Sequence, residues 1–179
     1  MAALRPRIAT VWLDGCSGCH MSLLDGDERL MELAEKIDLV YGPLVDTPDF
    51  PEEVEITLVE GGVSTDDDIR KLRLLRKRSN ILVSFGDCAV TANVPGMRNE
   101  FRLGEVLQRA YLENVSWRPS IPVAGVPVLK PHVRPLHEYV EVDAFLPGCP
   151  PPAMAIWYML SELIEGRLPE LGNRTRFGA

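Results

Sequence analysis

Three β-rich runs in this chain stop at turns that hold both glycine and cysteine. Residues 7–13 run into Asp14-Gly15-Cys16-Ser17-Gly18-Cys19, residues 81–85 into Gly86-Asp87-Cys88, and residues 140–146 into Pro147-Gly148-Cys149. Further strands are expected at 37–41 and at 55–59, the latter running into Glu60-Gly61-Gly62. Between the strands the apolar spacing becomes helical. Residues 21–36 place Leu23, Leu24, Leu30, Met31 and Leu33 at that spacing. Residues 65–79 form a second helix, with Ser64 or Thr65 as its cap, Asp66 to Asp68 in its first turn and Arg76 to Arg78 in its last. That charge order complements the helix dipole. Residues 103–111 read as a helix, and so do residues 151–165, where proline in the first turn costs little.

The resulting β-α-β-β-α-β-α-β-α order predicts an α/β chain. The expected architecture is a flavodoxin-like, doubly wound parallel sheet of about five strands with helices on both faces. No repeat or low-complexity run interrupts it. One domain over 1–179 is expected, with a loop-rich insertion at about 90–138 and a loosely held tail at about 166–179. The length, 179 residues, suits one core. A hydrophobic fraction of 46% with 25% charged residues argues against disorder. The net charge of −7 disfavours nucleic acid as a partner, because phosphate binding needs a basic face. The most apolar stretch, 151–160, is far short of the ~20 residues that span a bilayer, and no leader pattern precedes the first strand. A cytoplasmic location with no membrane partner is therefore expected, where thiols stay reduced and favour metal over disulfides.

The four cysteines follow the spacing C-x2-C-x68-C-x60-C. In an open parallel sheet all their positions fall at the carboxyl edge, where such folds bind ligands. Residues spread over 134 positions can therefore converge. Nearby glycines (Gly15, Gly18, Gly86, Gly148) permit tight turns and close approach of N–H groups to sulfur. Four thiolates suit one [4Fe–4S] cluster, and Cys149-Pro150 has the Cys-Pro form that closes ferredoxin motifs. Other readings stay open. A structural zinc also takes four thiolates, usually as two close pairs. A thioredoxin-like pair at Cys16/Cys19 leaves Cys88 and Cys149 unexplained. Four unrelated buried cysteines fit composition but not their shared placement.

Asp14-Gly15-Cys16-Ser17-Gly18-Cys19-His20, Glu60-Gly61, Gly86-Asp87-Cys88-Ala89 and Pro147-Gly148-Cys149-Pro150-Pro151 resemble, in order and over nearly the whole chain, the small subunit of [NiFe]-hydrogenases. The wording of residues 16–25 and of Gly86-Asp87-Cys88-Ala89-Val90-Thr91 is similar to the soluble, bidirectional NAD-reducing subgroup. Related subunits continue from the third cysteine's loop with a glycine, where this chain has Thr91-Ala92-Asn93. The resemblance implies that Cys16, Cys19, Cys88 and Cys149 hold one [4Fe–4S] cluster next to a nickel–iron site. That site belongs to a separate large subunit, and electrons pass on to diaphorase iron–sulfur and flavin subunits that carry FMN and NAD. The chain itself shows neither G-x-G-x-x-G nor a P-loop. On this view it is a subunit of an oxidoreductase acting on H2, not catalytic alone.

Two other functions compete. One is the 20 kDa-type iron–sulfur subunit of a quinone reductase or of a membrane-bound energy-converting hydrogenase. The other is an FMN- or zinc-binding flavodoxin-like protein. Glu60 ends a strand at the cysteine edge, either as a proton relay or hydrogen-bond acceptor near the cluster or as a turn-holding carboxylate. His20 is read as a helix-start residue or as a donor beside Cys19. His132 and His137 belong to the loop surface, and Leu23, Leu24, Leu30 and Met31 to packing. Met21, Met97 and Trp157 are candidates for an apolar patch facing a partner.

Overall fold

The computed structural model describes residues 5–178. Residues 54–60 (Val-Glu-Ile-Thr-Leu-Val-Glu) form its central strand because six of the seven side chains are buried, which requires cover on both faces. The chain order is β1 (Arg7–Trp12), α1 (Gly18–Leu24), α2 (Glu28–Lys36), β2 (Asp38–Tyr41), β3 (Val54–Glu60), β4 (Val63–Thr65), α3 (Asp66–Arg78) and β5 (Ser79–Phe85). It continues with α4 (Asp87–Thr91), α5 (Asn93–Gly96), α6 (Leu103–Gln108), β6 (Leu129–Arg134), β7 (Ala144–Leu146) and α7 (Ala153–Ile164). The expected parallel sheet is present, with five strands in the order β2-β1-β3-β5-β7.

Alternation along the strands sorts their side chains between two cores. Ile8, Ile56, Leu58, Val83 and Phe85 pack on one face against Leu33 of α2 and against Ala155, Ile156, Met159, Leu160 and Leu163 of α7. Ala9, Val11, Val59 and Leu82 pack on the other against Leu72 and Leu75 of α3. Full burial of a chain such as Ile156 or Leu72 stabilises by about 1.5–3 kcal/mol. Thr65 caps α3: its hydroxyl accepts from Asp68 N–H at 3.0 Å, while the Asp68 carboxylate accepts from Thr65 N–H at 2.8 Å.

The structure departs from the sequence reading in several places. The helix expected over 21–36 is two, broken at Asp25-Gly26-Asp27, where Asp27 takes a φ of 47°. Three adjacent poor helix formers outweigh the apolar spacing there. The strand expected at 140–146 pairs only over Ala144–Leu146. The insertion is not all loop, because β6 pairs antiparallel with β4. Pro131 hides β6 from sequence, yet proline is tolerated in an edge strand. Residues 166–178 have no helix or strand, and a few contacts join them to the rest of the fold. The Thr175 hydroxyl donates to the Pro147 carbonyl, Gly178 N–H donates to Asp87 Oδ2 at 2.7 Å, and the Arg174 guanidinium lies 3.9 Å from the Tyr158 ring centroid.

Candidate metal centre

Strand register sets up the site. Trp12 pairs with Glu60, Glu60 with Phe85, and Phe85 with Leu146, so the last residues of β1, β3, β5 and β7 form one row. Every cysteine follows one of these ends. The turn after β1 is tied to the turn after β3: Gly62 N–H donates to the Asp14 carbonyl at 2.7 Å, and Asp14 N–H returns a bond to Gly62 at 3.1 Å. Gly61 makes this approach possible, because at its φ of 94° a Cβ would lie 2.8 Å from the Asp14 carbonyl oxygen.

Cys16 sits in the turn itself, and Gly18 N–H donates to its sulfur at 3.4 Å. Cys19 enters the first turn of α1 and is buried. The turn after β5 closes on it: a Cβ on Gly86 would stand 2.1 Å from Cys19 Sγ. Cys88 follows, buried in α4. The turn after β7 is bonded to the same place, with Gly86 N–H donating to Leu146 O at 2.8 Å and Asp87 N–H to Gly148 O at 2.9 Å. Ser22 of α1 donates its hydroxyl to Pro151 O at 2.6 Å, which holds the Cys149 loop against the helix that carries Cys19. Cys19 and Cys88 lie inside, and Cys16 and Cys149 are exposed.

The two inner thiols feel their buried surroundings. Burial pushes the Cys19 thiol up, and Glu60, Cys88, Cys16 and Cys149 each push it further. Burial likewise pushes Cys88 up to about 11; a backbone hydrogen bond at Val94 opposes this, while Cys16, Cys149 and Glu60 add to it. Ionising these sulfurs together is unfavourable unless cationic charge stands among them. All four thiols follow strand ends at one sheet edge, beside glycine turns that admit sulfur, although among the described residues no group of three or more His, Cys, Asp or Glu side chains is drawn together closely enough to hold a metal ion as it stands.

Two residues weighed from sequence join this site. Glu60 is 1% exposed and accepts from His20 N–H at 3.1 Å. The His20 ring is bonded to the same carboxylate oxygen through Nδ1. Its other nitrogen, Nε2, is buried with no partner among the described residues, and the ring lies edge-on to Phe85. Forty residues separate His20 from Glu60, so local pattern could not pair them. Asp87 has no assigned role in the sequence reading. An aspartate set directly between Gly86 and Cys88 was its available signal. His132 and His137 are exposed, as expected. Met21 and Met97 are also exposed, but Trp157 is partly buried, packed against the core with the Lys36 ammonium 5.6 Å from its ring centroid.

The family described as "NADH ubiquinone oxidoreductase, 20 Kd subunit" matches residues 16–163, from the first cysteine to the end of α7. The chain belongs to this family. Its relatives include hydrogenase subunits. It is 42% identical over 176 residues to the NAD-reducing hydrogenase HoxS subunit delta of Cupriavidus necator, covering 94% of this chain and 84% of that one. It is 33% identical to a subunit of the F420-non-reducing hydrogenase of Methanocaldococcus jannaschii, covering 97% of this chain but only 61% of the archaeal protein. The crystal structure of an NAD+-reducing [NiFe]-hydrogenase in the H2-reduced state contains a chain that superposes with a TM-score of 0.93 at 39% identity, covering 98% of this chain and 99% of that one. The [NiFeSe] hydrogenase of Desulfovibrio vulgaris Hildenborough, at 15% identity and a TM-score of 0.53, covers 92% of this chain and 64% of its own and shares the fold.

Proposed function

We propose that this chain is the electron-transfer small subunit of a cytoplasmic NAD-reducing [NiFe]-hydrogenase. Cys16, Cys19, Cys88 and Cys149 hold one [4Fe–4S] cluster, which when bound accepts and releases one electron at a time. The nickel–iron centre belongs to a partner large subunit, and FMN and NAD to diaphorase subunits. The complex carries out H2 + NAD+ → NADH + H+, and this chain moves electrons without splitting H2. The observation that carries the reading is the near end-to-end match, in sequence and backbone, to a subunit of an NAD-reducing hydrogenase. The placement of all four cysteines after strand ends at one sheet edge supports it. No helix among the described residues is long and apolar enough to cross a membrane.

The residues divide the work. Buried Cys19 and Cys88 shield the inner side of the site from water, and exposed Cys16 and Cys149 turn its outer side toward a partner. Glu60 fixes the His20 backbone and ring, and so the start of α1 next to Cys19. The family description favours one second reading, the corresponding subunit of a quinone reductase.

Anaerobic co-purification, iron and sulfide analysis and EPR of the reduced sample test the proposal. About four irons in this chain, beyond those its co-purified partners hold, and a reduced cubane signal are expected. Cys149→Ser should lose or alter that signal, and an unchanged cluster in this variant overturns the four-ligand assignment. Co-purifying flavin subunits support the NAD-reducing reading, and integral membrane subunits the second one. A flavin spectrum without iron overturns both.

A further inference from the structure

Asp87 is 3% exposed, and no salt-bridge partner is found for it among the described residues. A buried carboxylate without a cation must be held by hydrogen bonds. Asp87 Oδ1 accepts from Gly148 N–H at 2.6 Å, and Oδ2 accepts from Gly178 N–H at 2.7 Å. Its own N–H donates to Gly148 O at 2.9 Å. One residue therefore joins three places: the turn before Cys88, the turn before Cys149 and the segment 172–178. An acidic residue in the first turn of a short helix is commonly just a dipole partner. Here both carboxylate oxygens are committed outside α4, so that account is insufficient.

Both partners of Asp87 are fixed from behind. Gly148 has a φ of 140°, and a Cβ there would lie 2.4 Å from Pro151 Cα, so the turn admits glycine alone. The segment 172–178 is anchored by the Thr175 bond to Pro147 and by Arg174 against Tyr158 of α7. We propose that Asp87 is the positioning residue that locks the Cys88 and Cys149 turns in register, and that segment 172–178 completes this lock by occupying the second carboxylate oxygen. The consequence for the cluster rests on the ligand assignment above. The lock itself does not.

The test uses the anaerobic complex carrying Asp87→Asn, deletion of residues 175–179, or both. An amide keeps the volume but offers one acceptor oxygen, and its NH2 faces a second N–H donor. Asp87→Asn should retain iron while shifting the EPR line shape and midpoint potential. The deletion should shift both in the same direction, and the double variant should add little, since both changes break one network. The Gly148 amide should exchange with solvent about tenfold faster in Asp87→Asn, the effect of trading a charge-assisted hydrogen bond for a neutral one, and faster than parental in the deletion, which leaves that bond in place but frees the carboxylate that makes it. A parental spectrum and parental Gly148 exchange in Asp87→Asn overturn the proposal, as do additive shifts. If the parent complex contains no iron, the functional reading falls, and Gly148 exchange alone then decides whether Asp87 locks the turns.

Discussion

At the scale of single residues, one missing Cβ controls the centre. Gly86 combines a φ of 83° and ψ of 163° with a Cβ position 2.1 Å from Cys19 Sγ. Glycine is nearly alone in tolerating that backbone, and another residue pays about 1–3 kcal/mol there before any clash. Gly86→Ala should lower the thermal midpoint and, on the proposed ligand set, the iron content together, because the methyl displaces the Cys19 sulfur; normal iron loading would contradict the close approach. The thiols supply a pH expectation for the metal-free chain. Cys88 is raised from 9.0 to about 11 by burial first, so folding favours its protonated form. The stabilisation is complete below pH 9 and disappears as pH rises toward 11. Denaturant midpoints should therefore fall across that window. At pH 8, iodoacetamide should label exposed Cys16 and Cys149 well before Cys19 and Cys88. The cysteines were legible in sequence because strand ends have a recognisable form. The His20–Glu60 contact and the two bonds of Asp87 were not, because each joins residues brought together only by sheet closure.

At the scale of elements, local chemistry was readable and long-range pairing was not. The start of α3 was legible to within a residue because Thr65 and Asp68 cap each other across one turn. Asp68→Ala should cost about 0.5–2 kcal/mol, the range for a lost helix cap, measured as a lower urea midpoint with an unchanged slope. The split between α1 and α2 was hidden by leucines that continue the helical spacing through Asp25-Gly26-Asp27. The β4–β6 ribbon was hidden because its strands are short and lie far apart in the chain. It matters for the site, since Gly62 belongs to the crossing that ties the Cys16 turn to the end of β3. A Cβ on Gly62 would also come within 2.7 Å of a Val133 methyl of β6.

At the scale of the whole molecule, the cysteine edge carries apolar side chains that the fold does not use. Trp12 ends β1 with 48% exposure, and Met21, two residues after Cys19, has 58%. Large apolar groups left open beside a functional edge mark contact surfaces when they lie together. Met21→Asp should weaken co-purification with the large subunit while leaving the circular dichroism and thermal midpoint of this chain unchanged; a lower midpoint would make Met21 a stabilising residue instead. The parallel sheet has one more consequence, which concerns time. Antiparallel hairpins can close as soon as they are made, but here β7 joins the sheet beside β5 only after nearly sixty intervening residues have been synthesised. The fourth thiol follows β7, so ribosome-bound chains halted before residue 149 should capture no stable cubane from an assembly scaffold, however well their first strands have formed. On the proposed ligand set, the inner thiols of Cys19 and Cys88 are in place before their fourth partner, and the chain must keep them apart from oxidants until β7 has docked.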